Sequence, residues 1–353
     1  MVIKPMIRNN ICLNANPDGC TKSVERQIEY AKKNLSAEKN SPKLALVVGC
    51  SLGYGLASRI CAAFGYGAVT VGLSLENEPS EKRTGTPGYY NNTAFDSEAA
   101  KAGLVSISLN GDAFSDEMKS KTAEAIRQAA SKAGIPAKID LFVYSLASPV
   151  RTDPRDDVMY RSVIKPIGAT FSGKTLNMMD GTFSTTEAEP ATEEEIFNTI
   201  KVMGGEDWEL WMDALDREGL LSPKTRAVAY TYIGPELSWA IYKNGTIGRA
   251  KEDLQRACRD INEKFTKQKS RLEVVRTNKL LMPQLGLNIN ALVLIRAAVE
   301  GGKQVAEDQE SLVSGVSGMS QMSNYSTAST LSTISQSSAY SGYSSLSLST
   351  KER

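Results

Sequence analysis

A tyrosine and a lysine late in the sequence have the residue types and the spacing for proton chemistry. Tyr242 precedes Lys251 by nine positions, and Asn244-Gly245 between them predicts a turn, after which Thr246 can cap a helix. Nine residues of unbroken helix would place the two side chains on opposite faces, so the turn is required for them to converge. A nearby ammonium stabilises a phenolate, which suits proton donation or stabilisation of a developing anion. From periodicity alone, an interface aromatic and a solvated lysine remain the better interpretation.

A glycine-rich segment, Gly49-Cys-Ser-Leu-Gly53-Tyr-Gly55, lies between a predicted strand and a predicted helix. Glycines let the backbone turn sharply and approach a pyrophosphate, whose charge the N-terminal amides of the helix then hold. Glu76 ends the next predicted strand, where a carboxylate would accept the ribose hydroxyls of NADH and repel the 2′-phosphate of NADPH. The combination predicts an NADH site. The alternative is a glycine-rich turn that binds no nucleotide.

The composition excludes several kinds of chemistry. The 353 residues contain no histidine, which rules out Ser-His-Asp hydrolysis, Cys-His proteolysis and histidine-ligated zinc. The five cysteines are scattered without metal-ligand spacing, so we expect reduced thiols, no metal site and a cytoplasmic protein: Cys12, Cys20, Cys50, Cys61 and Cys258. A net charge of +1 without a basic stripe argues against a nucleic-acid partner, and no apolar run approaches the roughly 20 residues of a membrane span.

The elements that must position these residues alternate between strands and helices. Short apolar runs predict strands at 44–49, 68–75, 104–109, 139–144 and 227–233, with a weaker strand at 272–281. Helices are predicted after the glycine-rich segment to about 64, and at 116–133, 192–202, 206–219 and 246–268. The alternation predicts an α/β fold, a doubly wound parallel sheet of Rossmann-like type with extra helices.

The composition also suggests how the chain is divided. Residues 1–42 are interpreted as an N-terminal extension packed on the main domain, and residues 43–300 as the nucleotide-binding and catalytic domain. Residues 311–350 contain no charged side chain and 16 serines, which predicts a low-complexity, flexible Ser-rich C-terminal tail at 301–353.

Several motifs recur in the order found in one enzyme family. They are the glycine-rich segment above, residues 1–12, Asn110-Gly-Asp-Ala-Phe-Ser115, Val143-Tyr-Ser-Leu-Ala-Ser-Pro149, Lys165-Pro-Ile-Gly168 and Val202-Met-Gly-Gly-Glu-Asp-Trp208. Over about residues 1–265 the sequence thereby resembles the trans-2-enoyl-CoA and enoyl-ACP reductase family. Members of that family also place eight residues between a catalytic tyrosine and a lysine, as Tyr242 and Lys251 are placed here.

The resemblance implies roles for particular residues. Tyr242 matches the proton donor, Lys251 the cofactor-binding lysine that acts with it, and Tyr232 a substrate-contacting tyrosine. The implied NADH-binding residues are Gly49, Cys50, Ser51, Leu52, Gly53, Tyr54, Leu75, Glu76, Asp112, Ala113, Leu146, Ala147, Lys251, Leu281 and Met282. Arg151 and Arg155 could face the phosphates of coenzyme A. The acidic pair Glu206 and Asp207 is interpreted as an ordinary helix start.

The implied reaction is the NADH-dependent reduction of trans-2-enoyl thioesters, carried by CoA or acyl carrier protein, in fatty acid synthesis. The implied enzyme is a monomer. The family's substrate helix is not recognisable after Pro283, so the alternative is a nucleotide-binding protein without turnover. A short-chain ketoacyl or alcohol reductase is disfavoured, because that class separates its tyrosine and lysine by three residues.

Overall fold

The computed structural model describes residues 6–8, 11–12, 14–176, 180–231, 236–267 and 273–278. Its strands are β1 (Ile7–Arg8), β2 (Ile11–Cys12), β3 (Leu44–Val48), β4 (Val69–Ser74), β5 (Ser106–Asn110), β6 (Ile139–Tyr144), β7 (Val150–Thr152), β8 (Met159–Arg161), β9 (Phe171–Leu176), β10 (Phe183–Ala188), β11 (Leu221–Thr231) and β12 (Glu273–Asn278). Its α-helices are α1 (Pro17–Asn34), α2 (Gly53–Ile60), α3 (Pro87–Lys101), α4 (Asp116–Ala133), α5 (Glu193–Met203), α6 (Glu206–Arg217) and α7 (Thr246–Lys267).

The central sheet is parallel and has the strand order β12-β11-β6-β3-β4-β5. From β3 the chain winds outwards through β4 to β5, returns to β6 beside β3, and continues outwards through β11 to β12. This doubly wound topology confirms the predicted Rossmann-like fold. The winding direction reverses between β3 and β6, where Val48 pairs with Tyr144. Sheets of this kind bind ligands in the crevice outside the carboxyl ends of the strands at such a reversal.

The central strand β3 shows why the sequence reads as a continuous apolar run. All five of its residues are buried. Leu44, Leu46 and Val48 face the layer formed with α4, α6 and α7. Ala45 and Val47 face the opposite layer, beneath the π-helical turn that extends α2. A strand covered on both faces needs apolar residues at every position, not only at alternate ones.

Predicted and observed elements agree closely where local signals are strong. The predicted strand at 139–144 and the predicted helix at 116–133 coincide with β6 and α4. The hydroxyl of Ser115 accepts a hydrogen bond from the Met118 amide at 3.2 Å to start α4, and Gly134 ends the helix in a left-handed conformation with φ 65°. The weak final strand is present as β12, which pairs in parallel with β11.

Two helices were missed by the sequence interpretation. α1 lies within the predicted extension, begins after the N-cap Asn16, and buries Val24 and Ile28 in a cluster with Phe64 and Phe95. α3 has buried polar and small residues on its inner face, so it lacks the apolar periodicity that marks a helix. Of the two, α3 matters to the site, because it follows the segment that begins at the end of β4.

Between β6 and α5 the chain forms two antiparallel hairpins, β7–β8 and β9–β10, that were also not predicted. Among the described helices, none combines the length and the apolar character needed to cross a membrane. The predicted tail at 301–353 lies outside the described residues.

Candidate active site

The glycine-rich segment forms a tight loop between β3 and α2. Gly49 and Gly53 have positive φ angles of 84° and 52°, a conformation that favours glycine. A Cβ atom on Gly49 would lie 2.7 Å from the carbonyl carbon of Ser145, and one on Gly55 would overlap the carbonyl oxygen of Gly49. Leu52, the N-cap of α2, makes no side-chain hydrogen bond to the helix. The loop is therefore a close-packed cradle at a helix N-terminus, which fits a pyrophosphate.

The other predicted cofactor residues follow the ends of neighbouring strands. Leu75 and Glu76 follow β4, Asp112 and Ala113 follow β5, and Leu146 and Ala147 follow β6. Backbone hydrogen bonds of 2.8 Å join these ends, from Gly49 to Leu73, from Gly111 to Ser74 and from Ser145 to Val48. The structure thus brings all of these candidates, with Gly49–Tyr54, to one edge of the sheet.

Glu76 is fixed at this edge by both its backbone and its side chain. Its amide donates to Asn110 Oδ1 at 2.8 Å, and Asn110 Nδ2 donates to its carbonyl at 2.9 Å. Its carboxylate accepts hydrogen bonds from the hydroxyls of Ser51 and Thr86. The adjacent Leu75 is 70% exposed, so an apolar side chain stands beside this carboxylate at the surface. Such a pair suits the ribose and base of a nucleotide.

Beneath the loop lies a buried arginine. Arg59 of α2 donates to the hydroxyls of Ser106 and Ser108, each at 2.8 Å, and its guanidinium carbon lies 4.2 Å from the centroid of the Phe95 ring. Cys50 is fully buried with its Sγ 3.7 Å from Arg59 Nη1. Burial raises the pKa of the Cys50 thiol, although Arg59 opposes the shift, so the thiol stays protonated. Cys50 therefore packs in the interior as a protonated thiol.

Tyr242 lies in a turn directly before α7. Its amide donates to the Ser238 carbonyl at 2.9 Å, and the Asn244 amide donates to the Trp239 carbonyl at 2.7 Å. The predicted capping role of Thr246 is wrong in its detail, because Thr246 is already the first residue of the helix. Its buried hydroxyl donates to the Val163 carbonyl at 2.5 Å and so joins α7 to the segment after β8.

The first turn of α7 lies against the chain that carries Tyr242. A Cβ atom on Gly248 would lie 2.8 Å from the Tyr242 carbonyl oxygen and would overlap the Lys243 carbonyl oxygen. Lys251 follows Gly248 by three positions, so the two residues share one face of the helix. The turn therefore packs the backbone of Tyr242 against the first turn of the helix that carries Lys251. The convergence of the two side chains stays a prediction.

Lys251 occupies the second turn of α7 and is half-buried. Desolvation lowers the pKa of its ammonium to about 8. Within the described ranges, no hydrogen-bond or ion-pair partner is found for this ammonium. A lysine kept out of water without a carboxylate is characteristic of a functional site.

A buried charged cluster that the sequence does not predict lies near the carboxyl end of β6. Asp207 is 1% exposed and accepts hydrogen bonds from Lys119 Nζ at 2.9 Å and from the Tyr144 hydroxyl at 3.0 Å. Lys119 also donates to the Phe114 carbonyl at 2.7 Å. Asp207 lies in the first turn of α6 as predicted, but it is more than an ordinary helix start, because it is buried and joins Lys119 of α4 to Tyr144 at the end of β6. One sequence offers no signal for partners so distant along the chain.

The hypothesis that Arg151 faces coenzyme A phosphates is wrong. Arg151 is 1% exposed, and its Nη1 donates to the Lys201 carbonyl at 2.6 Å and to Glu206 Oε2 at 2.8 Å. Arg155 is more exposed but is held by Asp153 at 2.6 Å and by Glu206. The pKa of Asp153 is well below its usual range because of hydrogen bonds from Arg155 and Lys201. These arginines brace the β7–β8 hairpin against α5 and α6.

Three predicted residues cannot be placed. Tyr232, Leu281 and Met282 lie outside the described residues. Tyr232 directly follows Thr231, the last residue of β11, in the sequence.

The doubly wound sheet, with its glycine cradle at the reversal between β3 and β6, defines a Rossmann-type nucleotide-binding protein. The catalytic region of trans-2-enoyl-CoA reductase matches residues 83–319, and the NAD(P)H binding domain of trans-2-enoyl-CoA reductase matches residues 2–81. The chain belongs to the trans-2-enoyl-CoA reductase family.

Individual relatives agree with this assignment. The chain is 55% identical over 267 residues to the trans-2-enoyl-CoA reductase [NADH] of Treponema denticola, covering 74% of this chain and 66% of the relative. It is 51% identical over 265 residues to the enoyl-[acyl-carrier-protein] reductase [NADH] of Saccharophagus degradans, covering 75% and 65%. The crystal structure of the Treponema denticola enzyme in complex with NAD superposes with a TM-score of 0.74 and 48% identity, over 86% of this chain and 76% of that one. The chain thus spans about two thirds of the length of these curated relatives.

Proposed function

We propose that this chain catalyses the NADH-dependent reduction of the 2,3 double bond of trans-2-enoyl thioesters to saturated acyl thioesters, as in fatty acid synthesis. The observation that carries the proposal is the packing of the Tyr242 backbone against the first turn of α7, the helix that bears Lys251, in a chain of this family. The glycine cradle on the same edge of the sheet supplies the complementary half, a site that fits a dinucleotide.

The reaction adds a hydride to the β-carbon of the thioester and a proton to the α-carbon, and bound NADH supplies the hydride. As electrons move towards the thioester carbonyl, negative charge develops on its oxygen. We assign the Tyr242 hydroxyl to stabilise that oxygen or to provide the proton. We assign the Lys251 ammonium to bind the cofactor ribose and to lower the pKa of the phenol through its charge. Both roles require a protonated lysine, and a pKa of about 8 leaves most of it protonated at neutral pH.

Most of the residues proposed to contact the cofactor lie at the carboxyl edge of the sheet. We assign the pyrophosphate to the loop from Gly49 to Tyr54 and the adenosine ribose to Glu76, with Leu75 beside it. Asp112 and Ala113 would flank the adenine. Leu146 and Ala147 would line the path to the nicotinamide, next to the reversal point at Ser145. Leu281 and Met282 are proposed to contact the cofactor, and Tyr232 to contact the acyl substrate.

The carrier of the acyl group is left open between coenzyme A and acyl carrier protein, because the relatives are named for both. A second candidate is a protein that binds NADH without turnover. The observation that favours it is the sequence after Pro283, where the family's substrate helix is not recognisable. We further propose that the protein is a cytoplasmic monomer, which light scattering and fractionation of the native host would test.

The deciding experiment follows the absorbance of NADH in the presence of crotonyl-CoA, with fluorescence titration of NADH in parallel. The wild-type chain is expected to oxidise NADH only when crotonyl-CoA is present. Tyr242→Phe is expected to lose turnover while binding NADH as before. Tyr160→Phe is the matched control, because its hydroxyl donates to Asp156 on the surface hairpin, and it should be fully active. NADH binding without turnover in the wild type would favour the second candidate.

A further inference from the structure

The segment between β4 and α3 contains a threonine whose hydroxyl bonds to the carboxylate of Glu76, the residue proposed to bind the ribose, instead of to its own helix. Thr86 occupies the N-cap position of α3, where a threonine normally accepts a hydrogen bond from the helix, yet it makes no such bond. Its Oγ1 donates to the carboxylate of Glu76. The amide of Asn77 donates to the same Oγ1 at 3.1 Å. The Asn77 carbonyl is a second acceptor for the hydroxyl, but at 3.4 Å it is much farther than the Glu76 carboxylate, so the hydroxyl hydrogen is directed at Glu76.

The carboxylate of Glu76 is held from two sides. Ser51, in the glycine-rich loop, donates to Oε1, and Thr86 donates to Oε2. Behind it lies Gly88 in the first turn of α3, where a Cβ atom would overlap the carboxylate group. The negative charge therefore also lies at the N-terminus of α3, where the helix dipole stabilises an anion.

The segment that supplies Thr86 is itself anchored. Thr84 accepts a hydrogen bond from the Ala15 amide at 3.0 Å, and the Gly85 amide donates to the Tyr90 hydroxyl at 3.0 Å. Thr86 donates its backbone amide to the Asn77 carbonyl at 3.0 Å. The position of Thr86 is thus set by the fold before any ligand binds.

We propose that Thr86 is a positioning residue that sets the preference for NADH over NADPH, by fixing the Glu76 carboxylate against Ser51 and the first turn of α3. The inference rests on the proposed function, because it deepens the role of Glu76 in dinucleotide binding. A fixed carboxylate accepts the hydroxyls of the adenosine ribose and repels a 2′-phosphate. A carboxylate freed from Thr86 turns towards water, which weakens both effects.

The test is titration of NADH and NADPH into wild-type, Thr86→Val and Thr86→Ser chains. Thr86→Val keeps the shape of the side chain and is expected to lower the ratio of NADPH to NADH dissociation constants by about tenfold, as expected for one hydrogen bond to a charged group. Thr86→Ser restores the hydroxyl and should restore the ratio. Thr93→Val is the matched control, because its hydroxyl donates to the Tyr89 carbonyl in the same helix, and its ratio should equal that of the wild type.

A second variant reaches the same carboxylate without touching Thr86. Gly88→Ala would displace Glu76 sterically, and it is expected to lower the ratio in the same direction. A wild-type ratio in folded Thr86→Val and Gly88→Ala would overturn the inference while leaving the proposed function intact. Failure of the wild-type chain to bind either dinucleotide would overturn both.

Discussion

Gly49 and Ser145 touch at the point where the sheet reverses direction: a Cβ atom on Gly49 would lie 2.7 Å from the Ser145 carbonyl carbon. The Ser145 amide donates to the Val48 carbonyl at 2.8 Å, so the ends of β3 and β6 are held together there. Because Gly49 has no side chain, the backbone can pack this closely and the crevice at the N-terminus of α2 stays free for a pyrophosphate.

Gly49→Ala is therefore expected to weaken NADH binding by at least about tenfold. It should also destabilise the fold by more than the roughly 1–2 kcal/mol cost of a left-handed alanine, because its Cβ would clash with the Ser145 backbone. Gly103→Ala is the matched control, since Gly103 also has a positive φ, of 67°, but a Cβ atom there would have no neighbouring atom within 4 Å. It should lose only the roughly 1–2 kcal/mol of backbone strain and bind NADH normally. Urea unfolding and NADH titration measure the two effects. Equal affinities in both variants would contradict the role of the close contact.

Much of the fold could be predicted because its signals are local. The apolar run of β3, the glycine-rich loop and the capped helix α4 each depend on a few consecutive residues. The candidate residues Glu76 and Ala113 could be placed near one another because the carboxyl ends of parallel strands share one edge.

The remainder depends on contacts that no single stretch of sequence encodes. α3 was missed because residues such as Asn91 are buried on its inner face, so its pattern is not amphipathic. Asp207 was recognised only as part of a helix start, because its partners Lys119 and Tyr144 come from other elements. Thr86 carried no signal, since a threonine before a proline resembles any helix cap.

The affinity for NADH should depend on pH through Lys251. Its pKa is lowered to about 8, so the ammonium is charged below that pH and becomes neutral as the pH rises through it. We expect NADH affinity to be highest below about pH 8 and to fall above it, because the charged form is the one proposed to bind the ribose. Lys251→Met should bind weakly without this pH dependence. Lys264→Met, which removes an exposed lysine of the same helix paired with Asp213, should keep the wild-type profile. Titration of NADH at a series of pH values around 8 measures the effect. If the pH dependence of NADH affinity were unchanged in Lys251→Met, the lysine would be excluded as its origin.

The buried pair of Asp207 and Lys119 should be strongly coupled. Burial raises the pKa of Asp207, and Lys119 opposes that shift. Asp207→Asn would leave the Lys119 ammonium buried without a counter-charge, and we expect a loss of about 3–5 kcal/mol in the free energy of unfolding. The double variant Asp207→Asn/Lys119→Met should recover a large part of that loss, which chemical denaturation measures as a double-mutant cycle. Additive losses would show that the pair is not coupled.

Thr246, which joins α7 to the segment after β8, should matter more for turnover than a buried threonine elsewhere in the fold. Thr246 Oγ1 donates to the Val163 carbonyl at 2.5 Å and accepts from the Lys165 amide at 3.3 Å, directly between Tyr242 and Lys251 in the sequence. Thr246→Val leaves both backbone groups without their partner, which is expected to destabilise the fold by about 1–3 kcal/mol and to shift the first turn of α7. Because catalysis depends on geometry within about an ångström, kcat should fall at least about tenfold.

A control with the same bonding pattern separates stability from catalysis in this last case. Thr225 is also fully buried, donates to the Ile139 carbonyl at 2.6 Å and accepts from the Ser222 amide at 2.7 Å, but it lies at the opposite, amino-terminal edge of the sheet. Thr225→Val should lose comparable stability and keep its kcat, whereas Thr246→Ser should recover the kcat that Thr246→Val loses. The three variants are compared by their turnover with crotonyl-CoA, measured well below the unfolding temperature of each. If both valine variants lost turnover equally, the effect of Thr246 would be one of stability, and the junction would not position Tyr242 and Lys251.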